Sequence, residues 1–218
     1  MIFAENGTPG GLRLAVFASG RGSNLQAILD AISSGFLKKT KVVVVISNNS
    51  TSGALEKAHD RNIPAVLISR KQFGSDEEMA SDILTRLEQF DVNLIALAGY
   101  MKKIHPHIVR RYRNRIINIH PALLPAFGGE RMYGMHVHEA VIASGARESG
   151  ASVHIVDEEY DRGPVILQRS ISVAPDDTPE SLSDKVLAVE HVLYPEVLRL
   201  FEDGCIHVAG RNVSISAS

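Results

Sequence analysis

The stretch Leu12–Asn24, LRLAVFASGRGSN, decides the fold. Leu12 to Ser19 is a short apolar run with the composition of a buried strand, and Gly20-Arg21-Gly22-Ser23-Asn24 turns the chain. Leu25, Ile28, Leu29 and Ile32 then recur at i, i+3, i+4 and i+7, the period of an amphipathic helix. A second strand follows in Lys41–Ser47 (KVVVVIS), β-branched and nearly continuous, as a strand covered on both faces must be. Asn48 to Gly53 is the polar turn into another helical stretch, so the chain opens as β-α-β.

The alternation continues outward from there. The pattern predicts strands over Pro64–Ile68 and Val92–Leu97, with a helix over Asp76–Gln89 between them. A short helix over Ile104–Tyr112 precedes the apolar Ile116-Ile117 pair, and the chain turns Pro- and Gly-rich from Pro121 to Gly134. His138–Ser144 reads as a short helix, and Ala151–Val156 and Pro164–Val173 as strands able to pair across Asp157–Gly163. Thr178–Phe201 is a helix opened by an N-cap threonine with proline at the first helical position. Cys205–Ile215 suits a small hairpin around Gly210-Arg211-Asn212. Regular alternation of this kind favours an α/β fold with a mainly parallel central sheet. With no repeat, low-complexity run or linker, the expected organisation is an extension over residues 1–11, one domain over 12–204 and a tail over 205–218.

The 218 residues are 44% hydrophobic and 22% charged, close to globular averages, which speaks against a disordered chain. A net charge of −2 lacks the positive excess needed to neutralise many phosphates, so no nucleic-acid partner is expected. The apolar runs are too short for a bilayer, and residues 1–10 lack a basic segment followed by an apolar one, so neither a membrane partner nor a signal peptide is expected. The single Cys205 forms no internal disulfide and suits a reducing compartment. Cytoplasm is the expected location.

Three places carry chemistry. Ser19–Asn24 lies where a strand gives way to a helix, and free backbone N–H groups there favour an anion. It is not a Walker motif, Leu25 replaces the third glycine of the dinucleotide fingerprint, and Ser47-Asn48-Asn49 offers no acid for a ribose. The alternative is a tight turn capped by Asn or Ser. Asn118-Ile119-His120-Pro121 ends an apolar strand, and alternation points Asn118 and His120 to one side. An amide donor beside an imidazole suits carbonyl chemistry, the amide holding an oxyanion and the imidazole a proton; a structural histidine is the alternative. Asp161 sits in an acidic turn with Asp157, Glu158 and Glu159, and if it meets His120 its charge favours imidazolium. His136-Val137-His138 could present two metal ligands from a strand, but no third accompanies them, and no metal is expected. His154 reads as a hydrogen-bonded wall residue, His59, His105, His107 and His207 as surface, and Glu190 as a sugar-hydroxyl acceptor or a solvated side chain.

Together these residues resemble the phosphoribosylglycinamide formyltransferase family, over about Leu12 to Gly204. The resemblance rests on VFASGRGSNL (16–25), LAGYM (97–101), NIHPALLP (118–125), SVH (152–154), DRGPVI (161–166) and Glu190-His191. It implies a Rossmann-like three-layer α/β/α formyltransferase fold and formyl transfer from 10-formyltetrahydrofolate to the amine of glycinamide ribonucleotide. It implies further that Gly22, Ser23 and Asn24 hold the nucleotide phosphate and Glu190 its ribose. Leu97, Met101, Lys102, Lys103, Ile104 and Asn118, with Asp157, Glu158, Glu159, Tyr160 and Asp161, would line the folate site. Asn118, His120 and Asp161 match the family's catalytic trio, with protonated His120 stabilising the oxyanion. Asp76 stands where relatives can carry a folate-contacting arginine, so that contact is not carried over, and the loop Gly128–Gly134 is longer than in some relatives.

The rival readings are formyltetrahydrofolate hydrolysis and a non-catalytic phosphosugar-binding module. The hydrolases resemble this chain but add an N-terminal regulatory domain, which the few residues before Leu12 are not expected to form. A methionyl-tRNA formyltransferase is disfavoured for want of a basic domain after Gly204. The sequence leaves monomer and homodimer both open.

Overall fold

A computed structural model describes residues 11–216. The expected 1–11 extension therefore lies outside the described residues except for Gly11. Burial follows the alternation of the first strand. In β1 (Leu12–Phe17), Leu12, Leu14 and Val16 enter one core while Ala15 and Phe17 enter the other, so both faces of the strand are covered.

Around it the sheet runs in the order β3-β2-β1-β4-β5-β6-β7, with β2 (Thr40–Ser47), β3 (Ala65–Leu67), β4 (Leu94–Leu97), β5 (Ile116–His120), β6 (Glu148–Ile155) and β7 (Val165–Ser172). Pairing is parallel through β5, whereas β6 lies antiparallel to both β5 and β7. Helices α1 (Ser23–Ser33), α2 (Gly53–Asp60), α5 (Met135–Ser144) and α6 (Pro179–Glu202) send side chains into one core, and α3 (Asp76–Gln89) and α4 (Pro106–Arg111) into the other. The result is the three-layer α/β/α arrangement. A separate hairpin, β8 (Ile206–Ala209) with β9 (Asn212–Ile215), closes the chain where a hairpin was expected; residues 217 and 218 lie outside the described residues.

The strand order reverses between β1 and β4, and beyond the carboxyl ends of such strands an open α/β sheet leaves a crevice. Tyr194, fully buried on α6, donates its hydroxyl to the carbonyls of Leu97 (2.9 Å) and Ile117 (3.2 Å), tying the helix across β4 and β5. Thr178 caps α6 as expected, accepting from Ser181 N–H at 3.2 Å ahead of Pro179. One element departs from expectation. α5 begins at Met135, so His136 and His138 lie two apart on a helix, where they cannot share a face. His136 is exposed and pairs with Glu139, while His138 is buried. Among the described residues no group of His, Cys, Asp and Glu side chains is arranged to hold a metal, and no helix is long and apolar enough to cross a membrane.

Candidate active site

The turn after β1 is held from three sides. Ala18 N–H donates to Ile46, Ser19 N–H to Gly99, and the Ser19 hydroxyl to Asn48 Oδ1 while accepting from Met101 N–H. The asparagines after β2 are therefore consumed in bracing this turn: Asn49 Nδ2 donates to Ser19 O. Gly22, at φ 73°, is the N-cap of α1, and no side chain caps the helix. A Cβ at Gly22 would lie 2.8 Å from Ala54 Cα, so only glycine lets α1 and α2 approach this closely. No side chain therefore caps the N–H groups of the first turn of α1, which excludes the alternative of an Asn or Ser cap.

Asn24 donates Nδ2–H to Glu190 Oε2 at 2.7 Å, joining α1 to α6, and its own Oδ1 is buried without a partner. Glu190 is only 7% exposed, so it is not a solvated side chain. Burial pushes its carboxyl up to about 7 against the opposing hydrogen bond from Asn24.

The second cluster sits on β5 and the strand beside it. Asn118 pairs with His154 and His120 with Ser152 across the antiparallel β5–β6 register. His154 Nδ1 lies 2.8 Å from the Ile155 carbonyl and its Nε2 lies 3.1 Å from Asn118 Nδ2. That contact holds the Asn118 side chain against β6. His120, 3% exposed, donates Nε2–H to the Phe127 carbonyl at 2.8 Å and turns Nδ1 toward Asp161 Oδ2, 3.6 Å away. Ser152 holds the Pro-rich turn beyond β5, donating to Ala122 O and accepting from Leu124 N–H and Gln168.

Asp161 reaches this cluster from the β6–β7 loop with φ 52°, a left-handed backbone uncommon outside glycine. Its Oδ2 accepts from Gly129 N–H at 3.0 Å and its Oδ1 lies 3.5 Å from His154 Nε2. Burial alone would raise this carboxyl. The hydrogen bond to His154, the nearby His120 and the Gly129 N–H outweigh it and hold the group below its ordinary value. His120 moves against expectation: burial depresses its pKa more than Asp161 and the Phe127 carbonyl raise it, with His154 adding to the depression. Burial thus favours the neutral imidazole in the ligand-free protein. The expected contact with Asp161 is present, but it does not raise the histidine overall.

One cleft of about 590 Å³ joins the two clusters. It is lined by Gly22, Ser23, Asn24 and Glu190 at one end and by Asn118, His120 and Asp161 further along, with Leu97, Met101, Lys102, Lys103, Ile104, Asp157, Glu159 and Tyr160. Lys103 extends over the Tyr160 ring, 5.3 Å from its centroid, across the mouth. Glu158 is the exception among the expected folate contacts. Its carboxylate turns out to Arg110 on α4 at 3.2 Å, a partner that alternation in the loop does not reveal. Sequence reasoning missed His138, Leu187 and the Gly129–Met135 wall, all of which line the cleft. The signal for His138 was its spacing from Val141 on one helix face, hidden because α5 starts earlier than its apolar pattern.

The formyl transferase family profile matches residues 12–198. The chain is 44% identical over 186 residues to the chloroplastic phosphoribosylglycinamide formyltransferase of Vigna unguiculata, covering 85% of this chain but only 59% of that protein's length. To the phosphoribosylglycinamide formyltransferase of Haemophilus influenzae it is 37% identical over 192 residues, covering 88% of each. The glycinamide ribonucleotide transformylase 1 structure from Symbiobacterium toebii superposes with a TM-score of 0.89 at 37% identity over 95% of both chains. With a family profile spanning most of the chain and relatives matched along nearly their whole length, the chain belongs to the formyl transferase family, among the phosphoribosylglycinamide formyltransferases.

Proposed function

We infer that this protein transfers a formyl group from 10-formyltetrahydrofolate to the amine of glycinamide ribonucleotide, a step of purine biosynthesis. The observation that carries the reading is the single cleft joining an uncapped helix N-terminus to a buried amide, imidazole and carboxylate. A phosphate belongs at the α1 terminus, where N–H groups and the helix dipole meet it. The ribose hydroxyls belong beside Glu190 and the unpartnered Asn24 Oδ1. The folate belongs along the wall from Leu97 to Ile104 and the Asp157–Asp161 loop, with Glu158 outside the contact set.

In this reading the neutral amine attacks the formyl carbon and the carbonyl electrons move to oxygen. An N–H of Asn118 donates to that oxyanion. His120, neutral at the start, takes the proton the new ammonium releases, and the oxyanion and Asp161 together favour the imidazolium while it exists. The proton then passes to the departing folate nitrogen as the carbon–nitrogen bond breaks, so the imidazole ends as it began. Asp161 stabilises the imidazolium by its charge, 3.6 Å from His120 Nδ1, the Phe127 carbonyl orients the ring, and His154 contacts Asn118.

The partners are thus two small molecules and no metal, nucleic acid or membrane, with the chain acting in the cytoplasm as a monomer or homodimer. The test is release of tetrahydrofolate from 10-formyltetrahydrofolate with and without glycinamide ribonucleotide. Release that depends on the ribonucleotide is expected. Equal release without it would establish hydrolysis, and binding of the ribonucleotide with no release would leave only a phosphosugar-binding module.

A further inference from the structure

The loop between β6 and β7 carries Asp161 in a left-handed backbone conformation, which aspartate tolerates better than most non-glycine residues. On the inner side Asp161 is anchored by Gly129 N–H. On the outer side the loop meets the C-terminal hairpin. Arg211, beside Gly210 at the hairpin tip, donates one guanidinium N–H to the carbonyl of Arg162, the residue after Asp161. Its other terminal nitrogen lies 3.7 Å from Asp157 Oδ2, at the start of the loop. Asp157 in turn accepts Glu159 N–H on Oδ1 at 2.9 Å, so one carboxylate links the hairpin to the loop backbone.

The hairpin is a fixed platform. Cys205 and Ile206 are buried at its base, Ser216 N–H returns to Cys205 O at 2.9 Å, and Val208 and Val213 pack against the larger core. From this hairpin Arg211, its side chain largely exposed, donates to the Arg162 carbonyl and stands within ion-pair distance of Asp157, so it meets both ends of the segment that delivers Asp161.

We propose that Arg211 is a positioning residue for Asp161, and that the C-terminal hairpin serves to brace the acidic loop in the register that brings this carboxylate to His120. The assignment rests on the formyl-transfer reading only for its kinetic consequence. The placement of Asp161 is measurable without substrate, because Gly129 N–H exchanges slowly only while it donates to Asp161.

The test compares the full-length protein with Arg211→Ala and Arg211→Lys. Arg211→Ala is expected to lower kcat at least about fivefold, as slight misplacement of a catalytic group does, with KM for glycinamide ribonucleotide unchanged. Hydrogen exchange at Gly129 is expected to quicken about tenfold in the ligand-free variant while the β5 and β6 amides keep their rates. Arg211→Lys, which replaces the fork with a single ammonium, should recover part of both. Wild-type exchange at Gly129 in Arg211→Ala would overturn the proposal whatever the turnover shows, as would faster exchange with unchanged kcat. If the wild-type protein itself shows no ribonucleotide-dependent turnover, the functional reading fails while the exchange rates still decide the brace.

Discussion

The two halves of the sheet contribute differently to one cleft. The parallel half, β1 to β5, offers backbone: the uncapped terminus of α1, a glycine where a Cβ has no space, and strand ends locked by Ser19 and the following asparagines. The antiparallel addition, β6 and β7, offers titratable side chains, His154 on the strand and Asp161 on the loop beyond it. β5 is the seam, giving Asn118 and His120 to partners that arrive from the antiparallel side. The comparison teaches that a ligand seat is built by local chain geometry, whereas a proton-handling site needs residues far apart in sequence to be brought together by strand pairing.

If that division holds, substitutions on the two sides must move different kinetic constants. The largest effect is expected at the seam. His120→Ala or Asn118→Ala should cost about 10² to 10³ in kcat, the size of a lost oxyanion or proton-transfer group, with KM for the ribonucleotide little changed. A steady-state assay of both constants checks this, and a loss confined to KM would break the division. Asp161→Asn sharpens it. Asp161 is the main influence raising the buried His120, so its neutral replacement should push the imidazole still lower in an NMR titration.

Next in size is the titration of Glu190, a group of the binding side that is buried rather than poised. Its carboxyl is raised from 4.5 to about 7, so between those values the folded chain keeps a proton the unfolded chain has released. Stability from this group is thus fully present below pH 4.5 and is lost as pH rises to about 7. The loss is at most about 3 kcal/mol. Glu190→Gln removes the titration, so denaturant unfolding should find it more stable than wild type at pH 8 and equal to it near pH 4. The same variant should bind the ribonucleotide more weakly. Equal stability at both pH values would mean that the carboxylate is stabilised in the fold and that the binding side contains a charged site after all.

How much of this was legible follows the same division. The glycine turn, the helix behind it and the strand that ends in Asn118 and His120 are all written in contiguous residues, because hydrophobic period and glycine placement act locally. The hairpin of β6 and β7 was legible too, yet its consequence was not. That Asp161 faces His120 depends on the β5–β6 register and on the contact with Gly129, neither of which is a local pattern. The sign of the His120 shift was missed for a related reason: the charge of Asp161 is visible in the sequence, while the desolvation that outweighs it comes from packing. Glu158 and His138 fell to side-chain direction, one turned outward to Arg110 and the other carried inward by a helix that begins early.

A smaller effect is expected at Gly22, on the binding side. Alanine there must adopt φ 73° and would press on Ala54 Cα, so α1 and α2 must part slightly. The N–H groups of the α1 terminus would then lose the alignment that the proposed phosphate site requires. We expect KM for the ribonucleotide to rise about tenfold, the scale of one or two weakened charge-assisted hydrogen bonds, with kcat close to wild type. A fall in kcat of the same size would tie the helix terminus to the chemistry and erase the distinction between the halves.

The smallest effect is expected where the halves touch only through solvent-exposed side chains. Arg110 on α4 meets Glu158 of the β6–β7 loop at 3.2 Å, and both side chains are more than half exposed. Such a pair gains little Coulomb energy in water and gives much of it back in side-chain entropy, so its contribution is within about 0.5 kcal/mol. Arg110→Ala should leave kcat, both KM values and the denaturation midpoint at their wild-type values, even though it removes the cation that Glu158 of the Asp161 loop meets. Arg211 is also largely exposed, but it contrasts with Arg110 by donating to a backbone carbonyl of the loop. A loss of turnover in Arg110→Ala would show that any surface charge near this loop tunes Asp161, and that the loop is held by summed electrostatics rather than by a particular hydrogen bond.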